Sequence, residues 1–108
     1  MEDLSPDFLR NVNQRTLNLA EHKLDFEQIK ALAANPYVRT LNLSGCKIGT
    51  YNAKVLATNI TLRSLDLTHN DILHEGAAAP AANTSLKSLN LSHNWISKGV
   101  KFLSKTRL

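Results

Sequence analysis

One cysteine in 108 residues allows no intramolecular disulfide. Any core must therefore be held by apolar packing, and a reducing compartment is the simpler setting. Aromatic residues are scarce at 6%, leaving few rings for stacking on bases. No apolar run approaches the roughly 20 residues of a membrane-spanning helix; the longest nearly apolar stretch is the Ala-Pro tract from Gly76 to Ala82. The opening residues, Met1-Glu2-Asp3-Leu4-Ser5-Pro6, are acidic and lack the apolar segment of a secretory signal. A soluble, unprocessed, cytoplasmic chain is expected. What is present argues for a folded one, because the hydrophobic fraction is 43% and the charge is moderate, 13 Lys and Arg against 9 Asp and Glu for a net +4. Leucine is the conspicuous residue, at 18 of 108.

The leucines recur in pairs two apart: Leu17 and Leu19, Leu41 and Leu43, Leu65 and Leu67, Leu89 and Leu91, each pair 24 residues after the last. The match extends around each pair. Gln14, Val38, Leu62 and Leu86 stand three residues before it; His22, Cys46, Asn70 and Asn94 follow, then Leu24, Ile48, Ile72 and Ile96. Internal periodicity of this kind settles the architecture before any other reading. Residues at i and i+2 share one face of a strand, so Leu65 and Leu67 go inward while Ser64, Asp66 and Thr68 face out. Each unit supplies one short strand. The Asn after it can satisfy loop backbone groups that have left the ladder, and Cys46 in that column suits a small buried side chain.

The second half of each unit predicts a short helix with a narrow apolar stripe. The stripe is Ile29 and Leu32, then Ala53 and Leu56, then Ala77 and Pro80, and in the fourth unit Val100 and Leu103. Asn35, Asn59 and Asn83 follow these segments, and Asn suits the left-handed conformation that ends helices. Pro80 would remove a donor and crowd the preceding turn, so irregular backbone is expected over Ala77–Ala82. That stretch reads either as a thin convex turn, tolerated because repeats are nearly independent, or as an apolar docking surface at Ala78 to Ala82. The chain divides into a leading segment 1–14 and units 15–38, 39–62, 63–86 and 87–108. Ser5, Pro6 and Asp7 ahead of Phe8, Leu9 and Val12 predict a capping helix in the leading segment. No comparable cover is legible after Phe102, Leu103 and Leu108. That end caps itself, meets another molecule, or continues into a longer chain.

The string Leu62-x-x-Leu65-x-Leu67-x-x-Asn70-x-Ile72, with Asn59-Ile60-Thr61 before it and Glu75-Gly76-Ala77-Ala78-Ala79 after it, resembles the leucine-rich repeat, in particular its ribonuclease-inhibitor-like class. Similar short units occur in bacterial proteins, including effectors that intracellular bacteria deliver into host cells. The resemblance implies an α/β solenoid, a short horseshoe segment with a parallel sheet on the concave face and helices on the convex face. It implies protein binding as the function, and a host cytosol as the location if the effector likeness holds. Polar Gln14, Pro80 and the shortened fourth unit depart from the family pattern.

Arg15, Arg39, Arg63 and Lys87 form one column of cations along the strand starts. Unit charges at a strand spacing of about 4.8 Å repel by roughly 0.9 kcal/mol in water, a cost that needs no function to be tolerated. The column reads as a solvated edge, as a strip for an acidic protein surface, or as a contact for an anionic polymer. The middle columns are small or polar: Thr16, Thr40, Ser64, Ser88; Asn18, Asn42, Asp66, Asn90; Ala20, Ser44, Thr68, Ser92. Bulky anchors stand only on the following loops, where His69, His93 and Trp95 lie near Asp71. Trp95 occupies a column otherwise held by Lys23, Lys47 and Asp71, and is read as an exposed hot spot or as a ring folded over the last unit's edge. The candidate partner-binding set is Arg39, Arg63, Lys87, Asp66, His69, His93 and Trp95.

Catalysis finds little support. His74-Glu75 lacks a second His at zinc-ligating spacing, and the column pairing His22 with Cys46 is a structural position rather than an exposed electropositive one. No metal or other cofactor is implied. We therefore expect a non-catalytic protein–protein interaction module that binds a protein partner through its concave face and adjacent loops. It would be monomeric or associate through the uncapped C-terminal end, without membrane contact. The alternative is a basic-surface binder of nucleic acid or another anionic polymer, disfavoured because the cations are not interleaved with aromatics.

Overall fold

The computed structural model describes residues 3–96 and 105–108. Its elements run α1 (Pro6–Asn11), β1 (Thr16–Asn18), α2 (Phe26–Ala34), β2 (Thr40–Asn42), α3 (Gly49–Leu56), β3 (Ser64–Asp66), α4 (His74–Ala82), β4 (Ser88–Asn90) and β5 (Thr106–Arg107). The strands form one parallel sheet in chain order. Thr16, Thr40, Ser64 and Ser88 lie in register, so each repeat adds one strand and returns through one helix. The inward leucines carry the packing: Leu41, Leu43, Leu65, Leu67, Leu89 and Leu91 are buried together with Ile29, Leu32, Ala53 and Leu56 from the helices. Leu17 is only partly buried, because β1 has a neighbour on one side alone.

Helix α1 starts as its residues dictate. The Ser5 hydroxyl accepts from Phe8 N at 3.2 Å, with Pro6 in the first turn. Leu9 and Val12 are buried, and α1 packs against α2. Two amides fasten it: Gln28 Nε2 donates to Leu4 O at 2.8 Å, and Asn35 Nδ2 donates to Leu9 O at 2.9 Å and Val12 O at 3.0 Å. Helix α2 begins with a reciprocal capping box between Asp25 and Gln28.

Three expectations need correction. The tract around Pro80 is a regular helix, α4, with Pro80 inside it on the buried face. Proline is tolerated because the helix has only nine residues and Pro80 falls in its last turns, so one donor is lost. Its ring fills the core column of Leu32 and Leu56, and the carbonyl it crowds, that of Gly76, lies in the helix's first turn. Of the tract offered as a docking surface, Pro80 and Ala81 are buried and Ala79 is half-buried, leaving Ala78 and Ala82 exposed.

The helix-ending asparagines are not left-handed. Asn35 and Asn83 have φ of −67° and −63° with extended ψ, and Asn59 is not among the residues with positive φ. Left-handed backbone occurs instead after the strands, at Glu21, Gly45, His69 and His93, with Lys47 and Asp71 two residues after Gly45 and His69.

The last unit also differs, since β5 pairs with β4 through Leu89↔Thr106 and Asn90↔Arg107. The sheet thus has a fifth strand that carries no leucine pair. Val100 and Leu103, expected in a fourth helical stripe, lie outside the described residues.

Candidate functional site

The outward face of the sheet is built by one repeated device. The side-chain oxygens of Asn18, Asn42, Asp66 and Asn90 accept the backbone N–H two residues on, from Ala20, Ser44, Thr68 and Ser92, at 2.9–3.0 Å. Each closes a local turn that leads the chain off its strand. Asp66 performs the same turn as the asparagines and also accepts from Thr68 Oγ1 at 2.6 Å. Its carboxylate is thereby positioned, with an acceptor facing the groove among small hydroxyls. Sequence reading placed Asp66 on this face but did not see why the column is Asn or Asp.

The cation column and the histidines border opposite ends of the strands. Arg39, Arg63 and Lys87 precede the strands, Asp66 ends β3, and His69, His93 and Trp95 follow the strands, so six of the seven candidates fall on two rims with Asp66 between them. On the first rim, Arg39 Nη1 lies 3.4 Å from Pro36 O, Tyr37 O and Thr61 O. Arg63 Nη1 donates to Thr61 O at 3.1 Å and Leu62 O at 3.3 Å and reaches Ser85 O at 3.5 Å. These guanidiniums bind loop carbonyls of the preceding repeat and of their own, which gives them a structural role. Lys87 has a cationic neighbour: burial, then the Lys87 charge, push the Lys105 ammonium below the ordinary lysine range, and Lys105 Nζ donates to Asn83 O.

On the second rim His69 and His93 stack with ring centroids 4.3 Å apart and planes within 1°. Both are exposed, and both stand on left-handed backbone, at φ 56° and 60°. Trp95 is 68% exposed, so its ring does not fold down as a cap. Its backbone N–H donates to Ile72 O at 2.9 Å and forms a parallel bridge with Leu73, while Nε1 reaches Asp71 Oδ1 at 3.4 Å. A flat aromatic surface thus stands beside an imidazole pair and an acid.

The family model described as Leucine Rich repeat matches residues 34–50, 58–79 and 82–103, more than half of the chain. The chain belongs to the leucine-rich repeat family. Among curated proteins none matches it significantly. Leucine-rich repeat domains generally mediate protein–protein interaction and are typically non-catalytic. In this repeat protein Cys46 is not set up as a nucleophile. Cys46 is fully buried, donates its thiol to Leu19 O at 3.0 Å, and is pushed above the ordinary thiol range chiefly by burial. A nucleophile needs the opposite shift. Among the described residues no group of three or more His, Cys, Asp and Glu is placed to hold a metal, and no helix is long and apolar enough to cross a membrane.

Sequence reading missed one set of exposed residues on this repeat protein. Phe26, Tyr51 and Leu73 are 39%, 66% and 47% exposed and lie at the starts of successive helices. They fall in three different columns of the 24-residue alignment, so no periodic signal marks them.

Proposed function

We propose that this leucine-rich repeat protein is a non-catalytic binding module whose protein partner lies along the polar concave face and anchors on the rim formed by His69, His93 and Trp95. The observation that carries this reading is the exposure of Trp95, 68%, at a column where a charged residue would satisfy the fold. Tryptophan concentrates binding energy when a partner desolvates it. Asp66 and the hydroxyl columns supply polar complementarity, and the Arg39, Arg63 and Lys87 rim adds steering for an acidic surface. Two of those cations already bind loop carbonyls, which makes them secondary contributors.

Affinity capture with the intact chain, compared with Trp95→Ala and with Ser64→Lys on the concave face, tests the reading. Trp95→Ala should weaken the captured complex by about 30-fold or more, the scale of a hot spot, and leave the melting temperature within about 2 °C. A complex indifferent to both changes overturns the proposal.

A further inference from the structure

The first repeat is covered on its helical half alone. Helix α1 takes the place of a preceding helix: Asn35 Nδ2 donates to Leu9 O and Val12 O as Asn59 Nδ2 donates to Leu32 O and Asn35 O. Among the described residues no strand accompanies α1, and β1 is the edge of the sheet. What a preceding strand supplies elsewhere is missing there. Alternate residues of a parallel strand turn their N–H and C=O to the same neighbour. Thr40 N donates to Arg15 O, and Asn42 O accepts from Leu19 N, both at 2.9 Å, so these residues face the strand before them. Their counterparts Thr16 and Asn18 turn the same groups outward, where no described residue bonds them. Arg39 and Arg63 bond carbonyls of the repeat before them, Tyr37 O and Thr61 O among them, whereas the Arg15 guanidinium finds no acceptor among the described residues. Leu17 is half-buried, although Leu41, Leu65 and Leu89 are at most 2% exposed.

The far edge of the sheet shows what closes such a gap. There the basic segment that carries β5 has no leucine pair, yet Lys105 O and Arg107 O accept from Leu89 N at 3.0 Å and Leu91 N at 2.6 Å. Beside β1, a hollow of about 240 Å³ is lined by Leu4 and Phe8 from the leading segment and by Leu17 and Asn18 from the strand. Asp3 borders it, and Asp3 and Asp7 border a second hollow that shares Phe8. Neither lining contains Lys or Arg; Arg15 stands just before the strand, and Arg10 lies in the last turn of α1 outside both.

We propose that this edge binds a basic, extended segment of a protein partner by strand addition. The segment's backbone pairs with Thr16 and Asn18 and offers a carbonyl to Arg15. One of its apolar side chains fills the hollow against Leu17 and Phe8, and a lysine or arginine meets Asp3 and Asp7. Unpaired strand groups select an extended backbone over a helix or a lipid, and the two carboxylates select a positive charge. The edge belongs to the first repeat and Trp95 to the fourth, so this site stands apart from the histidine rim and does not rest on it.

The probe is an acetylated and amidated octapeptide of alternating valine and lysine, titrated into the intact chain and followed by amide NMR. Exchange of the Thr16 and Asn18 amides with solvent should slow by about 10-fold or more at saturation. Methylating every second peptide nitrogen, on the paired side, removes the peptide's donors without altering the protein and should weaken binding by about 10-fold. Thr16→Pro deletes the outward N–H at an edge position, where proline is tolerated, and should weaken binding to a similar degree, about 10-fold; circular dichroism confirms that it is folded. Asp3→Asn combined with Asp7→Asn should cost about fivefold, and a valine–glutamate peptide should bind the native chain about 10-fold more weakly than the lysine peptide. Trp95→Ala should leave the titration unchanged, which separates this site from the concave-face partner. Absence of saturable binding up to about 1 mM, equal binding of the methylated or the glutamate peptide, or protection of Thr16 that grows with the concentration of the chain alone, the mark of a second copy on the edge, overturns the proposal.

Discussion

The two sides of each repeat are tied to their neighbours by different means. Before the strands, Asn35, Asn59 and Asn83 repeat one arrangement. Asn59 Nδ2 donates to Leu32 O, Ala33 O and Asn35 O of the previous repeat at 3.1–3.2 Å, while its Oδ1 accepts from Thr61 N at 2.7 Å and Leu62 N at 2.8 Å. After the strands, the column is His22, Cys46, Asn70 and Asn94, and only its second half has the amide. Asn70 Nδ2 donates to Leu43 O at 2.8 Å, and its Oδ1 accepts from Cys46 N at 3.0 Å and Ile48 N at 3.1 Å. Cys46 keeps the carbonyl bond to the preceding repeat, to Leu19 O, but sulfur is a weak acceptor and does not reproduce the pair of N–H bonds that Asn70 accepts from its preceding repeat. An amide ties its repeat to the preceding one through both donor and acceptor, whereas a thiol does so through its donor alone. The stack is therefore held uniformly on the entry side and more loosely, toward the N-terminus, on the exit side.

Asn59→Ala should show the largest effect, because it strands buried carbonyls and N–H groups at once; about 4 kcal/mol is expected from urea unfolding. Asn70→Ala breaks fewer bonds and should cost about 3 kcal/mol. Cys46→Ala loses only the weak thiol bonds to Leu19 O and Ser44 O and should cost about 1 kcal/mol. If the Cys46 variant falls as far as the Asn70 variant, the contrast between thiol and amide is wrong. The smallest effect is on pH dependence. Burial raises the Cys46 thiol in the folded chain, so the unfolded chain releases its proton first. The associated stability is complete below the free-thiol pKa of about 8.5 and declines as pH rises toward the folded value. Unfolding midpoints between pH 8 and 10 should drop further in the wild type than in Cys46→Ala.

The leucine pairs and the exit column were legible because each has one physical task repeated at one interval. The pairs predicted the register Leu17↔Leu41↔Leu65↔Leu89 that the sheet adopts, and Asn70 and Asn94 predicted the ladder. The entry asparagines were placed correctly but given the wrong mechanism, since a side chain that bonds its own backbone two and three residues on resembles a helix stop in sequence. True left-handed positions were hidden because Glu21, His69 and His93 carry no turn signature. β5 escaped because Thr106-Arg107 lacks the paired leucines, its hydrogen bonds to β4 being backbone bonds that any residue can make. Among the candidate site residues, the sequence located the rims but could not show that Arg39 and Arg63 turn back onto carbonyls.

Gly76 illustrates how little is needed to set the bend of such a stack. Neighbouring strands are held about 4.8 Å apart, whereas packed helices ordinarily stand 8–10 Å apart, and the difference in spacing between the two layers is what curls them into an arc. A Cβ at Gly76 would lie 2.7 Å from Thr50 Cα, so α4 approaches α3 more closely than any helix with a side chain there could. The outer layer is shortened at that step and the arc is locally flatter. Restoring the methyl group would push the helices apart and tighten the curve, altering the shape offered by the inner face without changing a single residue on it.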